Sequence, residues 1–387
     1  MRILQVHCGY RVPAGEDTVV HAEAALLRAQ GHEVHQHLVQ NPSNPLSAVA
    51  NLVVSVHNRS AVRGVLDAVR EFRPDVAHVH NTWFSLSAAV VPALDAAGVP
   101  VVMTLHNYRL GCISVDLFRE SAVCTRCVGA GPWAGVINRC YRDSFRLSAV
   151  AALEVAHHAH HGTFDHVHRF VAPSAFMADR LVEMGIPSDR LMVKPHFVDD
   201  GAPRARPVEE SSRLLFVGRL APGKGVESLL RAWERMRTSG LELVIVGDGP
   251  LSSELRESAP RGVKFTGWTD RATVLEMMRD SRALVFPSEW YEPFGMVLLE
   301  AMAAGLPVVV NRVADAATIV DADPRLVGVA GDADRLAECL RELTDDELVR
   351  AEGARMRQRY ERCYTPAANA PLIDRVYAEA IDTRASQ

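Results

Sequence analysis

Short apolar runs recur along the chain, separated by stretches whose apolar residues fall at helical spacing. This alternation predicts α/β units around mostly parallel sheets. In the first half, Ile3–His7, Glu33–Leu38, Val76–His80, Val99–Leu105 and Phe170–Ala172 read as strands. Val19–Gln30 reads as a helix stopped by Gly31, since glycine suits the residue after a helix. A polar, proline-containing joint runs from Gly201 to Pro207, and Glu209, Glu210, Ser211 and Ser212 follow it. A second series then begins, with strands at Arg213–Gly218, Leu241–Gly247, Val263–Thr266, Ala283–Pro287 and Pro307–Asn311. A helix is expected from about Phe294 to Ala304, with Gly305 closing it, and another from Pro366 to Ile381. The pattern predicts an α/β fold of two Rossmann-like domains facing an interdomain cleft, at 1–200 and 208–365. Residues 366–387 are expected to form a helix returning to the first domain.

Composition narrows the classes. The 387 residues are 48% hydrophobic and 23% charged, which fits a globular chain with a large core. A net charge of −5 argues against a general nucleic-acid binder. Residues 1–200 carry 17 basic and 18 acidic side chains, so no basic excess draws that half to a membrane, and no stable membrane association is expected. All 16 histidines precede position 197, which gives the halves different chemistry. The apolar stretch from Ala88 to Leu105 is broken by Asp95, Gly98 and two prolines and is too short to span a bilayer. With no secretory pattern ahead of the first strand and an odd seven cysteines, a cytoplasmic protein with reduced thiols is expected.

Neither domain has a Gly-x-Gly-x-x-Gly loop after its first strand, which disfavours a dinucleotide oxidoreductase. Instead, Phe216 to Gly225 reads as a strand entering a glycine-rich loop and then a helix. Backbone amides at such a helix start favour an anion, and Arg219 and Lys224 supply a fork and a point charge for phosphate oxygens. A plain turn with solvated charges is the alternative. Further on, Glu292 and Glu300 stand eight positions apart. On one helix they would project in similar directions about 12 Å apart, a spacing that suits two sets of hydroxyls on one ligand.

These segments resemble the Glu-x7-Glu signature of the retaining GT-B glycosyltransferases of family 4. Gly218 and Arg219, Lys224 and Gly225, and Val246 to Pro250 match further blocks of that family in the same order. The resemblance implies a nucleotide-sugar donor, taken as UDP-linked, on the second domain. Arg219 and Lys224 would hold its diphosphate, Glu292 the sugar and Glu300 the ribose. Gly218 belongs to the same loop, and the backbone around Phe294, Gly295 and Met296 would lie against sugar and phosphate. It further implies a loop from Gly9 to Thr18 near the phosphates, with Gly15 matched but Ala14 where a glycine is usual. His106 resembles the family's catalytic-domain histidine, and His80 is a second candidate. Asn107 stands where many relatives have aspartate, and His196 replaces a common asparagine at the expected interdomain joint. Ala314 to Thr318 departs from the family's Gly-Gly-x-x-Glu and should stiffen that loop.

Cys112, Cys124, Cys127 and Cys140 lie in an insert spanning about 108–145 and shared with a bacterial subgroup of these enzymes. One C-x2-C pair suits a structural zinc, and free thiols are the alternative. His157, His158, His160 and His161 read as a solvated helix face. Asp321 with Asp323 and Asp332 with Asp334 match a metal-holding Asp-x-Asp pattern, but capping roles suit their positions better. No catalytic metal or cofactor is expected. The implied activity is retaining transfer of a hexose, glucose or N-acetylglucosamine, from a UDP-sugar to a hydroxyl. An epimerase or phosphorylase and a non-catalytic nucleotide-sugar binder are the rivals. Length and style also resemble the transferases that glycosylate 2-deoxystreptamine in aminoglycoside antibiotic pathways, and Glu16 and Asp17 could attract such a protonated amine. Transfer to a lipid-linked acceptor in surface-polysaccharide assembly is the other expectation.

Overall fold

The computed structural model describes residues 1–9, 15–41, 55–204, 206–236 and 240–386. They fall into two compact units, one of Met1–Leu117, Thr125–His196 and Asn369–Gln387, the other of Phe118–Cys124 and Phe197–Ala368.

The first unit is built on strands β1 (Arg2–Gly9), β2 (Glu33–Gln40), β3 (Val76–Val79) and β4 (Val101–Thr104). A short antiparallel hairpin of β5 (Phe118–Arg119) and β6 (Ala122–Val123) follows, then β7 (Arg169–Ala172) and β8 (Leu191–Val193). The sheet runs β2-β1-β3-β4-β7-β8 and is parallel throughout. Its central strands are buried along their length, as a sheet covered on both faces requires. On one face Ile3, Val76, Val102 and Val171 pack with Ile373, Val376, Tyr377 and Ala380 of the final helix, Pro366–Ala385. The hairpin, which sequence order assigns to the first domain's insert, groups with the second unit.

The second unit holds β9 (Arg213–Val217), β10 (Glu242–Val246), β11 (Val263–Gly267), β12 (Ala283–Phe286), β13 (Val308–Asn311) and β14 (Val327–Gly328). Its order is β11-β10-β9-β12-β13-β14, all parallel. The strand order reverses between β9 and β12. Ligands of open α/β sheets bind beyond the carboxyl ends of strands at such a reversal. The glycine-rich loop follows β9 and the Glu292 segment follows β12, so both motifs flank that point. In the first unit the reversal lies between β1 and β3, which puts His80 directly after one of its flanking strands.

The helix Trp133–Ile137 lies in the insert and Phe145–His160 follows it, and they share a small core of Trp83, Phe84, Ile113, Val136, Ala151 and Ala152. Along and between them apolar and basic side chains reach the surface. Trp133 is 50% exposed, Ile137 78%, Phe145 59% and Leu153 55%, with exposed Arg139, Arg142 and Arg146 among them. No helix of the described residues is long and apolar enough to cross a membrane.

Candidate active site

In the second unit, β9 leads into a loop held by backbone bonds. Leu220 N–H donates to Asp248 O, and Leu251 N–H donates to Leu220 O. Gly225 is required here, because its φ is +73° and a Cβ would lie 1.9 Å from the Pro287 carbonyl oxygen. Only glycine lets the loops after β9 and β12 approach so closely. That approach brings Lys224 onto Glu292, its Nζ donating to Oε1 at 3.0 Å and Oε2 at 2.9 Å. Ser288 Oγ and Trp290 Nε1 donate to the same Oε2 at 3.3 and 2.6 Å, and the ammonium also lies 4.7 Å from the centre of the Trp290 ring. Glu292 is thus fixed by three donors and holds Lys224 in place. Arg219 is exposed on the same loop.

The helix after Glu292 begins later than expected. It spans Met296–Ala303, capped by Gly295 at φ +87°. Glu292 therefore lies in the preceding loop, and the inference that the two glutamates share a helix face fails. The left-handed backbone of Gly295 keeps the helix from starting earlier. Phe294 is 5% exposed and packs in the core, so only its backbone faces the loop. Glu300 is on the helix, its side chain 12% exposed, and accepts from Arg271 Nε at 2.9 Å. Burial raises its carboxyl above the ordinary carboxylate range, and Arg271 opposes that shift. Arg271 and Trp290 escaped the sequence reading. Trp290 stands within the motif and was there to be found, whereas Arg271 is 29 residues from Glu300 on another helix.

Ala314 adopts φ +50°, so the backbone keeps a left-handed turn where the family has glycine. One aspartate of each Asp-x-Asp pair serves as a side-chain cap, while Asp321 and Asp334 pair with Arg355 and Arg235. Asp323 accepts from Arg325 N–H and pairs with its guanidinium, while Asp332 accepts from the amides of Asp334 and Arg335. Asp321 ends a helix in the left-handed conformation.

In the first unit, His106 follows β4 and its Nε2 meets His80 Nδ1 at 3.1 Å. The imidazoles of His78, His80, His106 and His196 form a row, with centroids 4.1, 5.4 and 5.3 Å apart in that order. Burial, with neighbouring cationic side chains, lowers His106 to about 3 and His78 to about 4, and puts His80 and His196 well below their usual value. The row is neutral near pH 7. Beneath it Glu23, 1% exposed, accepts from Lys194 Nζ at 2.6 Å. Burial pushes the Glu23 carboxyl up, but Lys194, His78 and His106 together bring it below its ordinary value.

Among the described residues, the ligand atoms close enough to share a metal are those of Glu23, His78 and His80, not of Cys112, Cys124, Cys127 and Cys140. Even that group is spoken for, since both His78 nitrogens meet hydroxyls, of Tyr377 at 2.9 Å and Thr104 at 2.7 Å. Gly15 opens the helix Gly15–Ala29, and the loop residues 10–14, with Ala14, lie outside the described residues. Glu16 accepts from Asn107 Nδ2 at 3.0 Å and lines a cavity of about 230 Å³ together with His80 and His106. Asp17 turns away, its Oδ1 3.0 Å from His7 Nε2 in a buried contact. Of the histidines expected on a solvated face, His158 is instead buried at 2% exposure.

Residues 14–201 match the family model described as Glycosyltransferase Family 4, and residues 211–346 match that of Glycosyl transferases group 1. Together the two models span most of the chain, and its two parallel-sheet units have the GT-B fold. Both models are of glycosyltransferases. The transferase is 29% identical to phosphatidyl-myo-inositol mannosyltransferase of Mycolicibacterium smegmatis, over 97% of its own length and 93% of that protein's. It is 28% identical to glycogen synthase of Mycobacterium tuberculosis over 74% of its own length, and the match spans 65% of that relative. Sucrose-phosphate synthase from Thermosynechococcus elongatus shares the fold with a TM-score of 0.73 at 18% identity, covering 98% and 99% of the two chains. Anabaena HepE in complex with UDP does so at 0.67 and 16% identity, covering 98% and 100%.

Proposed function

We propose that the transferase moves a hexose from a UDP-sugar to an acceptor hydroxyl with retention of configuration. The observation that carries this is the Lys224–Glu292 pair, held at 2.9–3.0 Å where the two strands of the switch point end. A cation fixed there is in place to meet charge building on a diphosphate leaving group, with Arg219 on the same loop. Glu292 would then address the sugar and Glu300, steadied by Arg271, the ribose. HepE, a structural relative, was solved with UDP, which favours that nucleotide over others. The neutral imidazole of His106 can exchange a hydrogen bond with a sugar hydroxyl without competing for the leaving group's charge. Following the resemblance to retaining GT-B enzymes, we infer departure and attack on the same face of the sugar.

For the acceptor we place a lipid-linked sugar or cyclitol first. Exposed Trp133, Ile137, Phe145 and Leu153, with three exposed arginines in the same stretch of chain, are the residue types that meet anionic lipid. The name of the mycobacterial mannosyltransferase points the same way. The second reading, a soluble acceptor such as 2-deoxystreptamine in antibiotic biosynthesis, draws support from Glu16 and Asp165 on the wall of the cavity beside His106. The test is to incubate the purified protein with UDP-glucose or UDP-N-acetylglucosamine and each acceptor, and to read products by mass spectrometry and anomeric configuration by NMR. Acceptor-dependent UDP release with retention supports the proposal. Tight UDP-sugar binding without turnover on any acceptor overturns it in favour of a binding protein.

A further inference from the structure

The cavity beside His106 holds polar groups that the site described so far does not use. Glu154 and His158 lie one turn apart on the helix Phe145–His160, at 7% and 2% exposure, and both line the cavity. Their Oε1 and Nε2 are 3.9 Å apart, too far for a hydrogen bond. His158 Nδ1 is engaged by Thr163 Oγ1 at 2.9 Å, but its buried Nε2 has no hydrogen-bond partner. Arg109 also lines the cavity, its guanidinium stacked 3.9 Å from the centre of the Trp83 ring and its buried Nη1 likewise without a partner. Leaving a buried donor or acceptor unsatisfied costs stability, so the fold retains these groups at a penalty. Burial holds the Glu154 carboxyl up at about 8, with Arg109 opposing, so it is neutral near pH 7 and can donate as well as accept.

A guanidinium donor, a neutral carboxyl and an imidazole nitrogen, set against Leu105, Val155 and Ile186, match a ring with hydroxyls at its edge and C–H groups on its faces. Drug-sized ligands take roughly 300–1,000 Å³. A cavity of about 230 Å³ therefore admits one ring rather than two. We propose that this cavity seats the hydroxylated six-membered ring of the acceptor, pyranose or cyclitol, through Arg109, Glu154 and His158. The assignment rests on the transferase reading above and adds to it the chemistry of the group that receives the sugar.

The experiment uses the full chain without donor, and methyl α-D-glucopyranoside, myo-inositol and 2-deoxystreptamine as probes in saturation-transfer NMR. At least one ring should bind the wild type. Glu154→Leu and His158→Leu should weaken it at least tenfold, and Glu154→Gln, which still donates and accepts, should stay within about threefold. Val155→Trp, which fills the cavity while sparing its polar groups, should abolish binding and keeps the test open if a leucine variant fails to fold. Binding of UDP, measured by calorimetry, should be unchanged in every variant. Absence of binding by all three rings, or binding that survives both leucine variants and Val155→Trp, overturns the assignment. Ring binding in a protein that never transfers sugar overturns the transferase reading and leaves the cavity standing. Which probe binds separates the sources, since the charged diamine and the neutral rings share a shape but not a charge.

Discussion

Lys224 is held by a carboxylate, an indole ring and the loop that carries it, so its position does not depend on a ligand. Such preorganisation matters because a cation already in place needs no reorganisation when charge develops. Lys224→Ala and Arg219→Ala should each lower kcat by about 10²–10³-fold with an unchanged circular dichroism spectrum. Steady-state UDP release in either variant at the wild-type rate would remove the diphosphate assignment. Glu154 makes a prediction of another kind. Its carboxyl keeps the proton to about pH 8 when folded but releases it near its ordinary 4.5 when unfolded. The stability it offers is present below pH 4.5 and lost as pH rises through 8. Glu154→Gln should therefore melt like the wild type at pH 4.5 and above it at pH 8, the gap growing by up to about 1.4 kcal/mol per pH unit between. Equal melting temperatures at both pH values would mean that the carboxyl ionises in the folded state. Residues such as Glu292 and Lys224 were legible because their motifs are local. Arg271 and the His80–His106 contact were not, since a sequence carries no record of which helix or strand folds alongside.

At the scale of elements, the four neutral imidazoles, His78 in β3, His80 after it, His106 after β4 and His196 where the chain leaves the first unit, form one packed row. His106 at about 3, with His78 and His158 at about 4, all take protons near 6.5 once unfolded. Their contribution is therefore full above pH 6.5 and is lost as the pH falls toward 4, opposite in sign to Glu154. Thermal melts should drop steeply between pH 6.5 and 4.5, and a melting temperature flat across that window would show that the row is already protonated. The strands were legible because buried parallel strands are short continuous apolar runs. The start of the helix Met296–Ala303 was misplaced, since its apolar run extends back through Phe294, whose ring packs in the core from outside the helix. The exposed apolar and basic side chains between 133 and 153 were missed for a different reason. The apolar ones are split between two helices, and a net charge of −1 over 200 residues averages away arginines clustered at 139, 142 and 146.

For the whole molecule, one aspartate of each Asp-x-Asp pair caps a helix and the other pairs with an arginine, and cationic side chains lie at the proposed diphosphate site. Transfer should therefore persist in excess EDTA, with metal content measured on the same sample. Loss restored by Mg²⁺ or Mn²⁺ would return the Asp-x-Asp pairs to the reaction. The course of the chain has its own consequence. Ile373, Val376, Tyr377 and Ala380 complete the core that Ile3 and Val76 begin, so the second unit is an insertion within the first. At roughly 5–20 residues per second of synthesis, about 20–70 s separate the emergence of Ile3 from that of Ile373. During that interval the first sheet waits on the ribosome with one face uncovered, while the second unit already has every residue of its own sheet. A chain cut short near residue 365 would release a finished second unit tethered to a sheet that still shows its apolar face, a natural target for chaperones.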